Sequence, residues 1–128
     1  MTKKRVLILC TGNSARSQIA EGLFRHEAGD AFEVFSAGTK PVPVRPEAIA
    51  VMKEIGIDIS GHRSKSVDEF AGQEFDFVIT VCANANESCP VFPGKTQRLH
   101  WPIEDPSGIE AFRKARDEIH GRIKAFFA

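Results

Sequence analysis

An eight-residue stretch near the amino terminus combines a thiol, a glycine and an arginine at a spacing that suits anion chemistry. It comprises Cys10, Thr11, Gly12, Asn13, Ser14, Ala15, Arg16 and Ser17. A loop between a strand and a helix can point backbone N–H groups inward, and the helix amino terminus adds to the positive field. That field favours the thiolate of Cys10, to whose sulfur the Ser17 hydroxyl can donate. Because Arg16 presents two parallel donors to a tetrahedral oxyanion, we expect a nucleophilic cysteine in an oxyanion-binding loop.

Two residues inside this loop favour the same interpretation. Gly12 lets the backbone approach a ligand closely, and Asn13 tolerates the left-handed conformation that such a loop tends to need. The alternative is that Cys10 fills the core at a strand end, as free cysteines often do. The placement of the stretch after a predicted strand and before a predicted helix favours the anion loop.

Two further cysteines, Cys82 and Cys89, have six residues between them. This spacing fits neither a zinc knuckle nor a Cys-x-x-Cys redox motif. No second pair of ligands accompanies them and the four histidines lack metal spacing, so we predict no metal site. Only His62 lies on a loop expected to approach the site. Three cysteines argue against a secreted disulfide framework and leave one reactive thiol plus a pair, although two buried structural cysteines remain the alternative.

The elements that position these residues follow from periodicity. Continuous apolar or alternating runs predict strands over 3–9, 31–37, 75–81 and 97–101, and helical spacing predicts helices from 15, from 46, over 67–71 and after 107. The order predicts one α/β domain over residues 1–128, an open parallel four-stranded sheet with helices on both faces. Ligands of such sheets bind beyond the carboxyl ends of the strands. Three parts of the chain follow those ends, namely Cys10, Cys82 and the 101–106 segment. Trp101 is expected in the core or the cleft wall.

Helix boundaries are predicted from caps and from buried stripes. Pro46 suits a first helical turn, while Ser66 with Glu69 and Ser107 with Glu110 have the spacing of capping boxes. The residues expected to face the core are Ile19, Ala20, Leu23, Phe24, Ala48, Met52, Ile55, Ile109, Phe112, Ile119, Ile123 and Phe126.

Composition excludes several classes of protein. Lysine plus arginine and aspartate plus glutamate both number 17 in 128 residues, so the zero net charge gives no electrostatic case for binding nucleic acid. The early apolar run, 6–10, is too short for a membrane span or a signal-peptide core. We therefore expect a cytoplasmic protein with no membrane partner.

At the level of motifs, the sequence resembles the low-molecular-weight tyrosine phosphatase fold and, within it, the thioredoxin-coupled arsenate reductases. The resemblance runs from the first strand to the last helix. It rests on the Cys-x5-Arg-Ser loop at 10–17, the Cys82 to Cys89 segment, and His-Trp-Pro-Ile-Glu-Asp-Pro at 100–106. The first motif is common to phosphatases and reductases, whereas the two further cysteines favour a reductase.

The resemblance implies a reaction and a role for each site residue. Arsenate, which phosphate or sulfate can mimic, binds in the loop with Arg16, Cys10 attacks arsenic, and Asp105 is the general acid. Cys82 and then Cys89 carry the resulting disulfide, and thioredoxin reduces it as the external reductant. The resemblance implies no tightly bound cofactor, and we expect a monomer. Since disulfide exchange needs near-contact sulfurs, we expect segment 82–93 to rearrange on oxidation.

Alternatives to this assignment remain. The Asp105-Pro106 dipeptide also suits a turn before a helix. The chain could be a low-molecular-weight protein tyrosine phosphatase with two extra cysteines, although phosphatases of the family carry tyrosines after this dipeptide and this chain has none. It could also be a redox-sensing or anion-binding module without turnover. Weak phosphatase activity is expected of either enzyme.

One position departs from the family pattern. Some members bind a monovalent cation beside the loop through residues corresponding to Asn13, Glu21, Ser36 and an acidic residue at position 65, where this chain has Lys65. We expect the ammonium of Lys65 to take the cation's place against Glu21, which would make activity independent of potassium. The alternative is that Lys65 points to solvent, as most lysines do.

Overall fold

A computed structural model describes residues 3–81 and 96–127. The elements in chain order are β1 (Lys4–Cys10), α1 (Arg16–Ala28), β2 (Phe32–Gly38), α2 (Pro46–Lys53), a 3-10 turn (Val67–Phe70), β3 (Phe77–Thr80), β4 (Gln97–His100) and α3 (Ile109–Phe126). This order matches the predicted one. The third strand is shorter at both ends than its apolar run, 75–81.

The described strands form one parallel sheet in the order β2-β1-β3-β4. Strand β1 is central because its side chains are apolar on both faces; Val6, Leu7 and Ile8 are all fully buried. The predicted open parallel four-stranded sheet is confirmed. Since the strands run in one direction, β1 and β2 end together, with Cys10 paired to Gly38 in register.

Helical elements cover both faces of this sheet. On one face, side chains of β1 such as Val6 and Ile8 share a core cluster with buried residues of α1, α2 and α3. On the other face, Leu7 and Leu9 pack with Val67 and Phe70 of the 3-10 turn. The arrangement fixes the amino terminus of α1 directly beyond the carboxyl end of β1. None of the helices in the described part of the chain is long and apolar enough to cross a membrane.

Of the two predicted capping boxes, the one at Ser107 and Glu110 is wrong. Helix α3 begins at Ile109 with Gly108 as its N-cap, at φ +86°, and no side chain caps it; Ser107 lies one residue too early. The chain enters this helix through a backbone conformation that only glycine adopts readily. At the other box, Ser66 is the N-cap as predicted: its hydroxyl accepts from the N–H of Asp68, and the element that it caps is a four-residue 3-10 turn.

Two predicted core positions are also wrong. Ile55 is 39% exposed because α2 ends at Lys53, so the helical stripe does not extend to it; Val51 is buried instead. Ile109 is 37% exposed because it is the first residue of α3, before that helix meets the core. The other predicted stripe residues of the three helices are buried or packed against the core.

Candidate active site

The thiol of Cys10 lies at the carboxyl end of β1 and is nearly inaccessible, with 4% of the residue exposed. Its Sγ accepts the backbone N–H of Asn13 at 3.2 Å and lies 2.8 Å from Ser17 Oγ. Cys10 forms no disulfide. The sulfur thus has two polar neighbours, of which the Asn13 N–H is a donor.

The direction of the Ser17 bond follows from its neighbours. The backbone N–H of Lys65 can only donate, and it lies 2.8 Å from Asn13 Oδ1, which fixes the orientation of the Asn13 amide. Asn13 Nδ2 therefore faces Ser17 Oγ at 2.8 Å and Ser36 Oγ at 2.9 Å, and it donates to both. Since Ser17 accepts from Asn13, its own proton is free to point at Cys10 Sγ.

Backbone carbonyls of the loop point away from its centre. Segment 40–45 runs beside the loop, and its amides donate to the loop's carbonyls as Lys40 N to Thr11 O (2.9 Å), Val42 N to Gly12 O (2.9 Å) and Arg45 N to Ser14 O (2.8 Å). The two prolines at 41 and 43, which have no N–H, alternate with the first two donors. Because these carbonyls are bonded outward, the loop can turn its N–H groups inward, as an anion site requires.

Two backbone features make this tight loop possible. Asn13 has φ +47°, the one positive φ of a non-glycine residue within 3–81 and 96–127. Gly38 of β2 passes so close that a Cβ there would lie 2.5 Å from Thr11 O and 2.9 Å from Asn13 N. The left-handed asparagine was expected; the close approach of Gly38 was not.

Arg16 connects the loop to the segment that carries Asp105. It is the first residue of α1, and its side chain is 9% exposed. Nη1 donates to the carbonyl oxygen of Ile103 at 3.0 Å, and Nη2 lies 4.0 Å from Asp105 Oδ1. The Asp105 side chain is 74% exposed. The predicted sheet layout thus does bring this carboxylate beside the anion loop.

A hollow of about 320 Å³ lies between this segment and α3. Its described lining is Ile103, Glu104, Asp105, Pro106, Ser107, Ala111, Lys114, Ala115 and Glu118. None of these residues is aromatic.

Behind the loop, Glu21 forms a buried charged cluster. Its side chain is 6% exposed; Oε1 accepts from Ser36 Oγ at 2.6 Å, and Oε2 lies 3.0 Å from Arg25 Nη1. Lys65 Nζ lies 3.8 Å from Oε1 and donates to the carbonyl of Arg63 at 2.7 Å. The Lys65 side chain is 13% exposed, so the alternative in which it points to solvent is wrong.

Burial controls two ionisable groups of this cluster. It lowers the pKa of Lys65 below its ordinary value, although the carboxylate of Glu21 opposes the shift. It likewise lowers the pKa of His62, whose Nδ1 lies 3.5 Å from Glu21 Oε2, again with Glu21 opposing. His62 is therefore held in its neutral form at neutral pH.

Some of these residues were missed from the sequence. Gln18 and Ser64 were not singled out; the Ser64 hydroxyl donates to Gly12 O at 3.1 Å. The prolines at 41 and 43 were a local signal: in an extended segment they leave the N–H groups of the residues between them as the hydrogen-bond donors. Within the two described ranges, no three His, Cys, Asp or Glu side chains converge to hold a metal ion.

Cys82, Cys89 and the predicted rearrangement of 82–93 lie outside the described residues. Val81, which precedes them, donates its N–H to Leu9 O at 2.9 Å. The chain therefore enters that segment next to the end of β1.

Comparison with known proteins gives one consistent result. The low molecular weight phosphotyrosine protein phosphatase family matches residues 5–128. Arsenate reductase 2 of Staphylococcus saprophyticus is 44% identical over 129 residues, covering 99% of this chain and 98% of its own. A solved arsenate reductase in its phosphate binding state has a TM-score of 0.83 and 34% identity, over 96% of this chain and 95% of that one.

A thioredoxin-dependent arsenate reductase of Corynebacterium glutamicum is also similar. Its TM-score is 0.78 at 32% identity, and the match covers 98% of this chain and 60% of that chain. The chain therefore belongs to the low molecular weight phosphotyrosine protein phosphatase family, and its arsenate reductase relatives match it over nearly its whole length.

Proposed function

We propose that this protein is a thioredoxin-coupled arsenate reductase that converts arsenate to arsenite through Cys10, Cys82 and Cys89. The observation that carries the proposal is the environment of Cys10: a free, buried thiol that faces the N–H of Asn13 and the hydroxyl of Ser17. Its loop has carbonyls bonded outward and an arginine at its end. The full-length similarity to arsenate reductases supports arsenate as the anion.

In the first step, the N–H groups of 11–17 and the guanidinium of Arg16 hold arsenate as they would hold phosphate or sulfate. Cys10 Sγ attacks arsenic, and a sulfur–arsenic bond forms. Asp105 gives a proton to the departing oxygen, which leaves as water. The 4.0 Å between Arg16 Nη2 and Asp105 Oδ1 supports this role, because it keeps the carboxyl group beside the arginine that grips the anion.

In the second step, Cys82 attacks the sulfur of Cys10. The sulfur–arsenic bond breaks, its electron pair stays with arsenic, and As(III) leaves as arsenite. Cys89 then attacks the sulfur of Cys82, which frees the Cys10 thiolate and leaves a Cys82–Cys89 disulfide. The dithiol of thioredoxin reduces that disulfide and is itself oxidised to a disulfide. Because bonded cysteines have Cα atoms only about 4.4–6.8 Å apart, segment 82–93 must rearrange during the relay.

The proposed reaction also bears on the cofactor, the oligomeric state, the compartment and the reductant. No tightly bound cofactor takes part, since the electrons come from thiols. We propose a monomer that works as one domain over 1–128 in the cytoplasm, where thioredoxin keeps thiols reduced. The thioredoxin dependence of the Corynebacterium glutamicum relative supports the choice of reductant.

A second candidate function is phosphate-ester hydrolysis. It is favoured by the family assignment, because the same loop and the same acid would also serve a phosphoryl group. The described lining of the hollow beside Asp105 offers no aromatic wall for an aryl group. We therefore propose that hydrolysis is a weak side activity.

The test is arsenate-dependent oxidation of NADPH with thioredoxin and thioredoxin reductase, beside hydrolysis of p-nitrophenyl phosphate by the same preparation. Cys82→Ser and Cys89→Ser should each abolish arsenate turnover and retain the weak hydrolysis, whereas Cys10→Ser should abolish both. Hydrolysis without arsenate turnover in the wild type would assign the protein to the phosphatases. Hydrogen exchange of 82–93 should differ between oxidised and reduced protein, and equal protection would contradict the relay.

A further inference from the structure

Gln18 on α1 is fully buried, and its side-chain amide uses every polar atom. Nε2 lies 3.1 Å from each of three carbonyl oxygens, namely Asn13 O, Asn13 Oδ1 and Arg63 O. Oε1 lies 2.9 Å from His62 Nδ1. The side chain thus joins the anion loop to the 62–65 segment across the amino-terminal turn of α1.

The orientation of this amide is settled by its partners. Backbone carbonyls can only accept, so the nitrogen of Gln18 must face them and its oxygen must face His62. His62 Nδ1 therefore carries a proton, since its two near neighbours, Gln18 Oε1 and Glu21 Oε2, are both acceptors. Glu21 and Asp58 attract positive charge on this histidine, whereas Arg25 and Lys65 oppose it.

Gln18 holds Asn13, which is linked to the nucleophile both directly and through Ser17. Asn13 donates its backbone N–H to Cys10 Sγ, and its side chain donates to Ser17, whose hydroxyl faces the same sulfur. Asn13 also has a left-handed backbone, at φ +47°. This conformation costs free energy and persists only where the surrounding contacts enforce it. Gln18 bonds both oxygens of Asn13, the backbone carbonyl and the side-chain Oδ1.

We propose that Gln18 is a positioning residue for the reaction: its amide, whose oxygen accepts from His62 Nδ1, holds Asn13 so that the donors around Cys10 Sγ stay aimed at the sulfur. This inference deepens the proposed function and rests on Cys10 as the nucleophile. It assigns to Gln18 no contact with the anion.

Three variants test it. Gln18→Met keeps the length of the side chain and removes its hydrogen bonds, whereas Gln18→Glu keeps the shape and places an acceptor against the three carbonyls. Ile19→Val trims the neighbouring buried side chain of the same helix and is the control for lost packing. Circular dichroism and thermal unfolding establish that each variant folds.

The first measurement is the rate at which iodoacetamide alkylates Cys10 in the full chain, followed by mass spectrometry of the Cys10 peptide, with and without inorganic phosphate. This assay needs no arsenate reduction. We expect Gln18→Met to slow alkylation about tenfold, which is the effect of losing one hydrogen bond to a charged group. The phosphate concentration that gives half protection should change by less than about threefold. In arsenate turnover, the loss should appear in kcat rather than KM. Ile19→Val should alkylate at the wild-type rate.

The second measurement uses the protonated form of the introduced glutamate, which regains one donor for Asn13. The ratio of the alkylation rates of Gln18→Glu and Gln18→Met should rise as the pH falls from about 8 to about 5. The introduced glutamate gains its proton in this range because the fully buried position raises its pKa above the ordinary value of about 4.3. A purely structural role would not produce this pH-dependent ratio. Wild-type rates in a folded Gln18→Met, or a flat ratio, would overturn the inference; a wild-type Cys10 that neither reacts nor is protected by phosphate would overturn the proposed function with it.

Discussion

Lys65 Nζ lies 3.8 Å from Glu21 Oε1, with both side chains largely removed from solvent. A buried carboxylate is costly unless positive charge or hydrogen bonds compensate it. Here Lys65 supplies part of that charge from the chain itself, on the side of Glu21 where Ser36 also binds.

We therefore expect turnover to be equal in potassium and sodium salts at matched ionic strength. Lys65→Asp removes the ammonium and adds an acidic side chain near Glu21, so this variant should be stabilised by potassium. The measurement is thermal unfolding and turnover in potassium chloride against sodium chloride and choline chloride. Clear stimulation of the wild type by potassium over sodium would contradict the role given to Lys65.

Acid should destabilise the fold through His62. Its pKa in the folded protein lies below the ordinary value of about 6.5, so the unfolded chain takes up the proton first as the pH falls. The stability associated with neutral His62 is thus complete above about pH 6.5 and is lost as the pH falls towards the folded pKa. Urea unfolding of wild type and His62→Gln at several pH values checks this. The difference in unfolding free energy between the two should shrink on acidification; a constant difference would refute it.

Removal of the Ser17 hydroxyl should make Cys10 less reactive. Ser17→Ala deletes the donor 2.8 Å from Sγ and deprives Asn13 Nδ2 of one acceptor. We expect kcat for arsenate to fall about tenfold, as for other hydrogen bonds to charged groups. The control is Ser60→Ala, a serine on the exposed surface. Equal kcat values for the two variants would show that the hydroxyl does not assist the sulfur.

A methyl group at position 38 of β2 should displace the 10–17 loop, which it would contact. In Gly38→Ala the new Cβ would lie 2.5 Å from Thr11 O and 2.9 Å from Asn13 N, so the backbone must shift. We expect a loss of about 1–3 kcal/mol in the free energy of unfolding, together with weaker phosphate binding. Gly121→Ala, in α3 with nothing within 4 Å of the new Cβ, should instead gain about 0.5–1 kcal/mol. Urea titration and calorimetry with phosphate measure both effects.

The sheet was predictable because its signals are local. The continuous apolar run of β1 marks a strand buried on both faces, and the change of period after Cys10 marks the turn into α1. Ser66 caps its turn as predicted, whereas the Ser107 box failed because Ser-x-x-Glu spacing does not determine which residue adopts the first helical conformation. At Gly108, a left-handed backbone decides that instead.

The candidate site was predictable only in its contiguous part. The residues of 10–17 are adjacent in sequence, so their chemistry could be inferred from type and spacing. Gln18, by contrast, was not singled out, although nine consecutive residues of α1, from Arg16 to Phe24, are buried. The partners of its amide include Arg63 O and His62 Nδ1, which only the folded chain brings beside the loop.

The alternation of donors and prolines in 40–45 limits what the Cys-x5-Arg loop can be on its own. Its carbonyls at Thr11, Gly12 and Ser14 depend on amides that lie some thirty residues further along the chain. Grafted alone onto another strand and helix, the loop would lose these partners and could turn its oxygens towards the anion. The portable unit is therefore three discontinuous pieces, residues 10–18, 36–45 and 62–65, and they would have to be inherited, or transplanted, together.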